Sequence, residues 1–367
     1  MPTDFSVRSG SVDVYTIPTD APEADGTFAW DKTTLILVSL EAGGVQGIGY
    51  TYSDKTAAPL ARDLLQQAVI NADPFNIQAI FSKMRYFQRN YGREGLGATA
   101  LSAIDIALWD LNAKLLKQPL VNLLGRMRQS APVYGSGGFT SYSDSQLRNQ
   151  FSGWVADGIP RVKMKVGTDP NADLARVSTA REAIGPRTQL FVDANGAYSR
   201  KQALYFADRF AAESNVVWFE EPVSSDDLAG LHLLRDRAPA GMDIAAGEYG
   251  WTAMYLQRML EAEAVDVLQA DATRCGGVTG FMNASALADA HPLPFSAHCA
   301  PSIHMHLACA SRPLRHVEYF HDHVRIEQML FDGFCPARDG AMHPDLSRPG
   351  LGLDFKAKDA ERFKDNV

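Results

Sequence analysis

Eight short β-like runs recur along this chain at a near-constant interval. They are "PVYGSGG" at 132, "RVKMKVG" at 161, "QLFVDAN" at 189, "VVWFEEP" at 216, "DIAAGE" at 243, "VDVLQAD" at 265, "PFSAH" at 294 and "RHVEYF" at 315. The spacing is roughly 21 to 29 residues, and helical segments such as "ADLARVSTAREAIG" and "RKQALYFADRFAAE" fill the gaps. Repeating strand–helix units predict a parallel sheet, and eight near-equal units predict its closure into a (β/α)8 barrel. A doubly wound open sheet is the alternative, but the chain has no G-x-G-x-x-G turn to favour it.

A barrel of this kind takes about 250 residues, and the chain has 367. The surplus lies mostly in front. Residues 1–128 read as an α+β module, 129–325 as the barrel, and 326–367 as a Pro-, Gly- and charge-rich segment that packs back on the first module. In the first module "TTLILVSLEAGGVQGIGYTY" carries a hairpin signal. The helix "GATALSAIDIALWDLNAKLL" sets Ala100, Ile104, Leu108, Leu111 and Leu115 on one stripe, and Gly125 ends the region. Before the hairpin, "PTDAPEADGTFAW" is acidic, holds Pro and Gly, and has no periodicity, so it is expected to be a mobile loop.

Net charge is −8 with no basic stripe, which argues against nucleic acid as a partner. No run of 18 apolar residues suggests a membrane span, and the N-terminus has no signal-peptide pattern. Cys275, Cys299, Cys309 and Cys335 show no C-x-x-C spacing and read as reduced thiols of a cytoplasmic protein.

In a barrel, reactive groups stand at the C-terminal ends of the strands. Those ends carry Lys163 and Lys165, Asp193 and Asn195, Glu220 beside Glu221, Glu248, Asp271, His298 and Glu318. Alternate residues of a strand share a face, so Lys163 and Lys165 point the same way. Asp193, Glu220 and Glu248 are 27 and 28 residues apart, one barrel unit each. Three converging carboxylates repel one another unless a cation lies between them, and oxygen donors alone suit a hard ion such as Mg²⁺. Glu220 shares parity with Trp218 and Glu221 does not, and parity alone leaves open which of the two faces inward. A lysine beside a cation and a second lysine is expected to shift toward its neutral, basic form. Asp271 and His298 close consecutive strands and form a candidate Asp–His pair.

The remaining motifs say less. His304 and His306 are two apart on a helix and do not share a face, so a two-His metal site is not expected. His304 alone is a candidate substrate contact. His321 and His323 read as solvent or hinge residues. "YGSGGFTSY" reads as a flexible loop, since no Lys-Ser/Thr follows to complete a phosphate cradle. One hard cation with a lysine on one side and a His–Asp pair on the other suits removal of a proton α to a carboxylate. A hydrolase on the same fold has no use for the paired lysine.

In this order "KMK", "VDAN", "FEEP", "GE", "QAD" and "SAH" resemble the mandelate racemase subgroup of the enolase superfamily, and the likeness extends to the helix "AIDIALWDLNAK". The resemblance implies a modified TIM barrel, (β/α)7β, under an N-terminal α+β capping domain, with the eighth helix absent. It implies that Asp193, Glu220 and Glu248 bind Mg²⁺ and that Lys165 is the base on one face. Lys163 then neutralises the substrate carboxylate, and His298 with Asp271 is the acid or base on the other face. Glu318 donates a hydrogen bond to the carboxylate, and Asn195 is a polar contact near the metal. "PTDAPEADGTFAW" takes the place of the family's mobile capping loop, with Phe28 and Trp30 over the substrate and Tyr50, Tyr52 and Arg93 as further contacts. The implied reaction proceeds through an enediolate and is dehydration of an acid sugar to a 2-keto-3-deoxy acid. Racemisation or epimerisation of an α-hydroxy acid is the alternative, and a non-catalytic binding protein on the same barrel is the rival outside enzymology. The implied partners are a small-molecule carboxylate and further copies of the chain, from dimer to octamer.

Overall fold

The computed structural model describes residues 5–90 and 92–365. The cap is built on three antiparallel strands, β1 (Ser9–Ala24), β2 (Ala29–Ala42) and β3 (Val45–Tyr52), in that spatial order. Its helices are α1 (Ala57–Leu64), α2 (Ile77–Phe87), α3 (Leu96–Leu115) and α4 (Leu120–Leu123). A two-residue strand at Lys364–Asp365 pairs with β1 at Val14 and Tyr15, so the C-terminal segment ends on the cap.

The segment expected to be an irregular loop is instead the distal half of a β-hairpin. β1 and β2 pair from Ser9↔Glu41 to Pro18↔Lys32, shift register between Pro18 and Glu23, and resume at Glu23↔Trp30 and Ala24↔Ala29. Both prolines fall in or beside the bulge, where a missing N–H breaks no ladder bond. The turn closes through Asp25 N–H to Phe28 O at 2.9 Å, and Asp25 Oδ1 accepts from the N–H groups of Thr27 and Phe28.

α3 is buried on nearly every side rather than along one stripe, and Leu115 at its end is only half-buried. It lies between β3 and the barrel. On the β3 side, Gly47 and Gly49 let the two backbones touch: a Cβ at Gly49 would stand 2.2 Å from Ala103 O. On the barrel side, Asp105 accepts from Thr279 Oγ1 at 2.7 Å and Thr279 N–H at 2.9 Å, and Ser102 Oγ accepts from Gly276 N–H at 2.9 Å. Buried bonds of this kind are each worth about 1 kcal/mol net and far more to break singly. They fix the cap over one end of the barrel.

The barrel strands are β4 (Ala131–Gly137), β5 (Arg161–Lys165), β6 (Gln189–Asp193), β7 (Val216–Glu220), β8 (Asp243–Ala246), β9 (Val267–Ala270), β10 (Phe295–Ala297) and β11 (Leu314–Phe320). They pair in parallel in chain order, and β11 closes on β4 at Val317↔Val133. Seven helices alternate with them: α5 (Asp144–Ala156), α6 (Pro170–Ile184), α7 (Arg200–Ser214), α8 (Leu228–Arg237), α9 (Ala253–Glu261), α10 (Gly277–Ala290) and α11 (Pro301–Ala310). A helix does follow β11, namely α12 (His321–Leu330), but it serves the cap. Its Glu327 accepts from Tyr50 Oη at 2.7 Å, and its Asp322 accepts from Thr33 Oγ1. The fold is a modified TIM barrel of the (β/α)7β type with an N-terminal α+β cap.

Inside the barrel, Tyr134, Phe191, Trp218, Ala245 and Val267 form a closed apolar layer. Register sets what lies above it. Lys163, Phe191 and Trp218 are paired neighbours, and two residues further along so are Lys165, Asp193 and Glu220. The charged residues therefore form the next inward layer, toward the C-terminal ends of the strands and the cap. Among the described residues no helix is long and apolar enough to cross a membrane, and the four cysteines are free thiols.

Candidate active site

Lys163 and Lys165 both point into the barrel, and each is almost wholly buried. Lys163 Nζ lies 2.8 Å from Glu318 Oε1 and 3.1 Å from Asp193 Oδ2, and it also meets Glu220 Oε1. Lys165 Nζ donates to Asp193 Oδ2 at 2.6 Å and to Asn195 Oδ1 at 3.0 Å. Burial acts against each charge, but with no cation on the carboxylates Glu220 and Glu318 around Lys163, and Asp193 beside Lys165, outweigh it and raise both pKa values; a divalent cation on Asp193 and Glu220 would withdraw that support.

Trp218 Nε1 donates to Glu220 Oε2 at 2.9 Å, which puts Glu220 on the inward parity with Trp218. Glu221 is buried behind it at a left-handed backbone position, φ +38°, and burial together with Glu248 pushes its carboxyl well up. Asp193, Glu220 and Glu248 each present an oxygen, all within 4.8 Å of one another, and all three side chains are buried. Glu248 Oε2 has no aligned hydrogen-bond partner, although His298 Nε2 stands 3.0 Å away as an ion-pair contact. Three carboxylate oxygen donors, one of them without an aligned partner, fit a hard divalent cation.

Asp271 Oδ2 accepts from His298 Nδ1 at 2.8 Å. This bond fixes the ring and leaves Nε2 facing Glu248, Glu318 and Cys299. Burial works against the imidazolium, but Cys299, Glu248 and Glu318 hold the His298 pKa well above its ordinary value. Glu318 accepts from Ser136 Oγ at 2.6 Å and from Cys299 N–H at 3.0 Å. Burial opposes its ionisation, yet Lys163 and His298 hold the carboxyl below the usual range, and in these two bonds Glu318 is the acceptor.

A cavity of about 690 Å³ lies elsewhere, between β3 and the C-terminal segment, and holds none of this chemistry. The cavity over the reactive layer is about 640 Å³ and is lined by Lys165, Asn195, Glu248, His298 and Glu318 below and by Thr27, Phe28, Trp30 and Thr33 from the hairpin above. The hairpin lands on the barrel rim. Thr140 N–H donates to Ala24 O at 2.8 Å, and Ser141 Oγ to Pro22 O at 2.7 Å. Gly26 comes so close that a Cβ there would stand 2.3 Å from Ala194 O. The stretch "YGSGGFTSY" is thus the hairpin's landing surface, with Phe139 packed edge-on against Trp30.

Beneath the hairpin, Trp30 Nε1 donates to Glu23 Oε2 at 2.8 Å, while the buried Glu23 Oε1 has no partner. Burial, with Asp322 nearby, pushes the Glu23 carboxyl up to about 9. A carboxyl whose folded pKa is raised favours the folded state while protonated. Its contribution is full below about pH 4 and falls as pH rises toward 9. Glu23→Gln keeps an acceptor for Trp30 and abolishes this titration. The melting temperature of the variant is expected to gain on wild type steadily from about pH 5 to about pH 9. A constant difference across that range would mean that Glu23 is ionised in the folded protein.

Several sequence expectations are corrected by position. His304 does not reach the cavity. Its Nε2 accepts from Ala272 N–H at 2.9 Å, so its proton is on Nδ1, which donates to Cys299 O at 2.7 Å. It clamps the turns after β9 and β10 and thereby sets Asp271 against His298. Tyr50 is buried beneath the cap on Glu327, and Arg93 is exposed outside the cavity. Tyr52 does line the cavity, stacked on His323 at 3.5 Å between ring centroids. His323 is therefore a wall residue and not a solvent or hinge group. Arg274 and Cys299 line the cavity too and were not singled out by sequence. Arg274 lies 3.7 Å from both Glu248 and Asp271 and packs over Tyr249 and Trp251. Both residues belong to turns after strands, where no periodicity assigns a direction.

Known proteins share this architecture. The mandelate racemase/muconate lactonizing enzyme N-terminal domain profile matches residues 13–125, and the enolase C-terminal domain-like profile matches residues 146–360. The chain is 34% identical over 321 residues to L-talarate/galactarate dehydratase of Salmonella typhimurium, covering 84% of this chain and 77% of that one. It is 32% identical to 3,6-anhydro-alpha-L-galactonate cycloisomerase of Streptomyces coelicolor, covering 94% and 96%. A mandelate racemase/muconate lactonizing enzyme-like structure from Rubrobacter xylanophilus superposes with a TM-score of 0.96 at 51% identity, over 98% of this chain and 100% of that one. The Salmonella dehydratase, solved with Mg and L-lyxarohydroxamate, superposes with a TM-score of 0.89 at 28% identity, over 98% and 93%. The chain belongs to the mandelate racemase/muconate lactonizing enzyme family and is an enzyme of the enolase superfamily.

Proposed function

We propose that the chain catalyses Mg²⁺-dependent dehydration of an acid sugar to a 2-keto-3-deoxy acid. The observation that carries this reading is the placement of Lys165 and His298. They come from the second and seventh strands, so they approach the carboxylate triad from opposite sides of one cavity. Asp193, Glu220 and Glu248 hold the cation, which when bound stabilises negative charge developing on the substrate carboxylate. Lys163 Nζ, buried under the cavity among Asp193, Glu220 and Glu318, supplies a fixed positive charge to the layer on which that carboxylate rests. Lys165 Nζ removes the proton α to it. His298 Nε2 delivers a proton to the departing β-hydroxyl, and Asp271 keeps the ring in the orientation this needs. The hairpin excludes water above.

The cavity wall supports a polyhydroxylated substrate. Thr27, Asp31, Lys32, Thr33, Asp54 and Arg274 offer donors and acceptors beyond the reactive layer. The likeness to L-talarate/galactarate dehydratase supports the same class. Proton NMR in D₂O, with Mg²⁺ and a set of acid sugars and small α-hydroxy acids, tests the reading. A 2-keto-3-deoxy product is the expected result. α-Deuteration with inversion and no loss of water would replace it with racemisation or epimerisation.

A further inference from the structure

We propose that His298 Nε2, Cys299 Sγ and Glu318 Oε2 form a second metal site, selective for zinc-type ions, whose occupation blocks the acid–base group of the seventh strand.

The three atoms make a nearly regular triangle. Sγ is 3.3 Å from Nε2 and 3.4 Å from Oε2, and Nε2 is 3.6 Å from Oε2. Tetrahedral zinc, with bonds of about 2.3 Å to sulfur and about 2.0–2.2 Å to nitrogen and oxygen, requires edges of about 3.5–3.7 Å to sulfur and about 3.3–3.6 Å between nitrogen and oxygen. The protein thus presents one face of a zinc tetrahedron to within about 0.3 Å. The fourth position opens on the cavity, which gives the ion an entry path and room for a solvent ligand.

Two independent features support the assignment. Asp271 accepts from His298 Nδ1, and a carboxylate in that place is the usual orienting partner of a metal-bound imidazole. Cys299 and Ala300 both adopt left-handed backbone, φ +53° and +36°, a rare pair for residues with a side chain. The strained turn brings Sγ beside Nε2 and lets Cys299 N–H hold Glu318 Oε2 at 3.0 Å.

Donor type separates this site from its neighbour. Asp193, Glu220 and Glu248 offer oxygen alone and suit Mg²⁺. Thiolate with imidazole suits Zn²⁺ or Co²⁺. Glu248 Oε2 is 3.0 Å from His298 Nε2, so the two positions adjoin. Sulfur binds zinc as thiolate, so zinc displaces the thiol proton as it binds. An ion on Nε2 removes the proton that His298 would deliver, and turnover stops.

The test uses the full chain with Mg²⁺ in excess. Co²⁺ is expected to give a near-ultraviolet thiolate-to-cobalt charge-transfer band at one equivalent. Among the described residues this is the one candidate metal group that includes a cysteine, so the band reports on Cys299. Zn²⁺ is expected to abolish the band by competition. Cys299→Ser should lack the band and bind Zn²⁺ at least about 100-fold more weakly, more than removal of an outer partner brings. An unchanged Mg²⁺-induced thermal shift would show that this variant is folded. A wild-type protein with no thiolate band overturns the proposal, whatever the variant does. So does equal Zn²⁺ affinity in both proteins, which would put the ion on the oxygen triad. None of these readouts needs a substrate, so the dehydratase reading stands or falls separately.

Discussion

Lys165→Met is expected to lower turnover of the acid-sugar substrate by about 10²–10⁴-fold, the range for loss of a positioned general base. Methionine keeps the length and apolar stem of the side chain, so packing at this buried position changes little. Asp193 loses its 2.6 Å contact with Lys165 but keeps Lys163 at 3.1 Å, so no carboxylate is left alone. The fold should survive, and the loss is chemical. His298→Asn is expected to fall as far for a different reason. Lys165 can still remove the α-proton, but nothing protonates the leaving hydroxyl. In D₂O the histidine variant should therefore exchange the α-hydrogen for deuterium without releasing water, while the lysine variant does neither. Exchange surviving in the lysine variant and vanishing in the histidine variant would reverse the two roles. Wild-type turnover in both would discard the two-sided scheme altogether.

The residues of the candidate site were legible for a geometric reason. Parallel barrel strands are buried on both faces, so they read as apolar runs, and a polar residue at the end of such a run stands out. Asp193 and Glu220 are cross-strand neighbours, and so are Lys165 and Asp193, which is why one barrel period in sequence becomes one layer in space. The resemblance had to choose between Glu220 and Glu221, and the bond from Trp218 to Glu220 shows the physical basis of that choice. What stayed hidden was decided by tertiary neighbours. The lid looked irregular because Pro18 and Pro22 lie in or next to a bulge, where strand propensity says least. Tyr50 and Tyr52 share one face of β3 and their rings touch, and nothing in the sequence says that only the one at the strand's end reaches the cavity. His323 looked solvent-exposed until α12 turned under the cap. Cys299 owes its position to two left-handed residues that no side-chain pattern announces.

Glu220→Gln is expected to abolish turnover and, independently, the stabilisation that Mg²⁺ confers. Any ligand that binds only the folded protein stabilises it by mass action, about 2.7 kcal/mol at one hundred times its dissociation constant. Wild type should therefore melt at a higher temperature as Mg²⁺ is added. Glutamine is the same size and still offers Trp218 an acceptor, but it takes one of three negative charges from the triad and can turn an N–H toward the cation. It also leaves Lys163 with two carboxylates, Asp193 and Glu318, instead of three. Removing one partner of a buried ion pair costs about 3–5 kcal/mol when the charge is left alone. With two partners remaining, the loss without Mg²⁺ should be smaller, about 1–3 kcal/mol. The two effects separate in one experiment: a modest drop in melting temperature without Mg²⁺, and no rise with it. Glu221→Gln is the control, because Glu221 has the opposite parity and stands outside the triad. If Glu221→Gln lost the Mg²⁺ response and Glu220→Gln kept it, the ligand assignment would pass to Glu221. The inward bond from Trp218 would then serve the barrel core and not the metal.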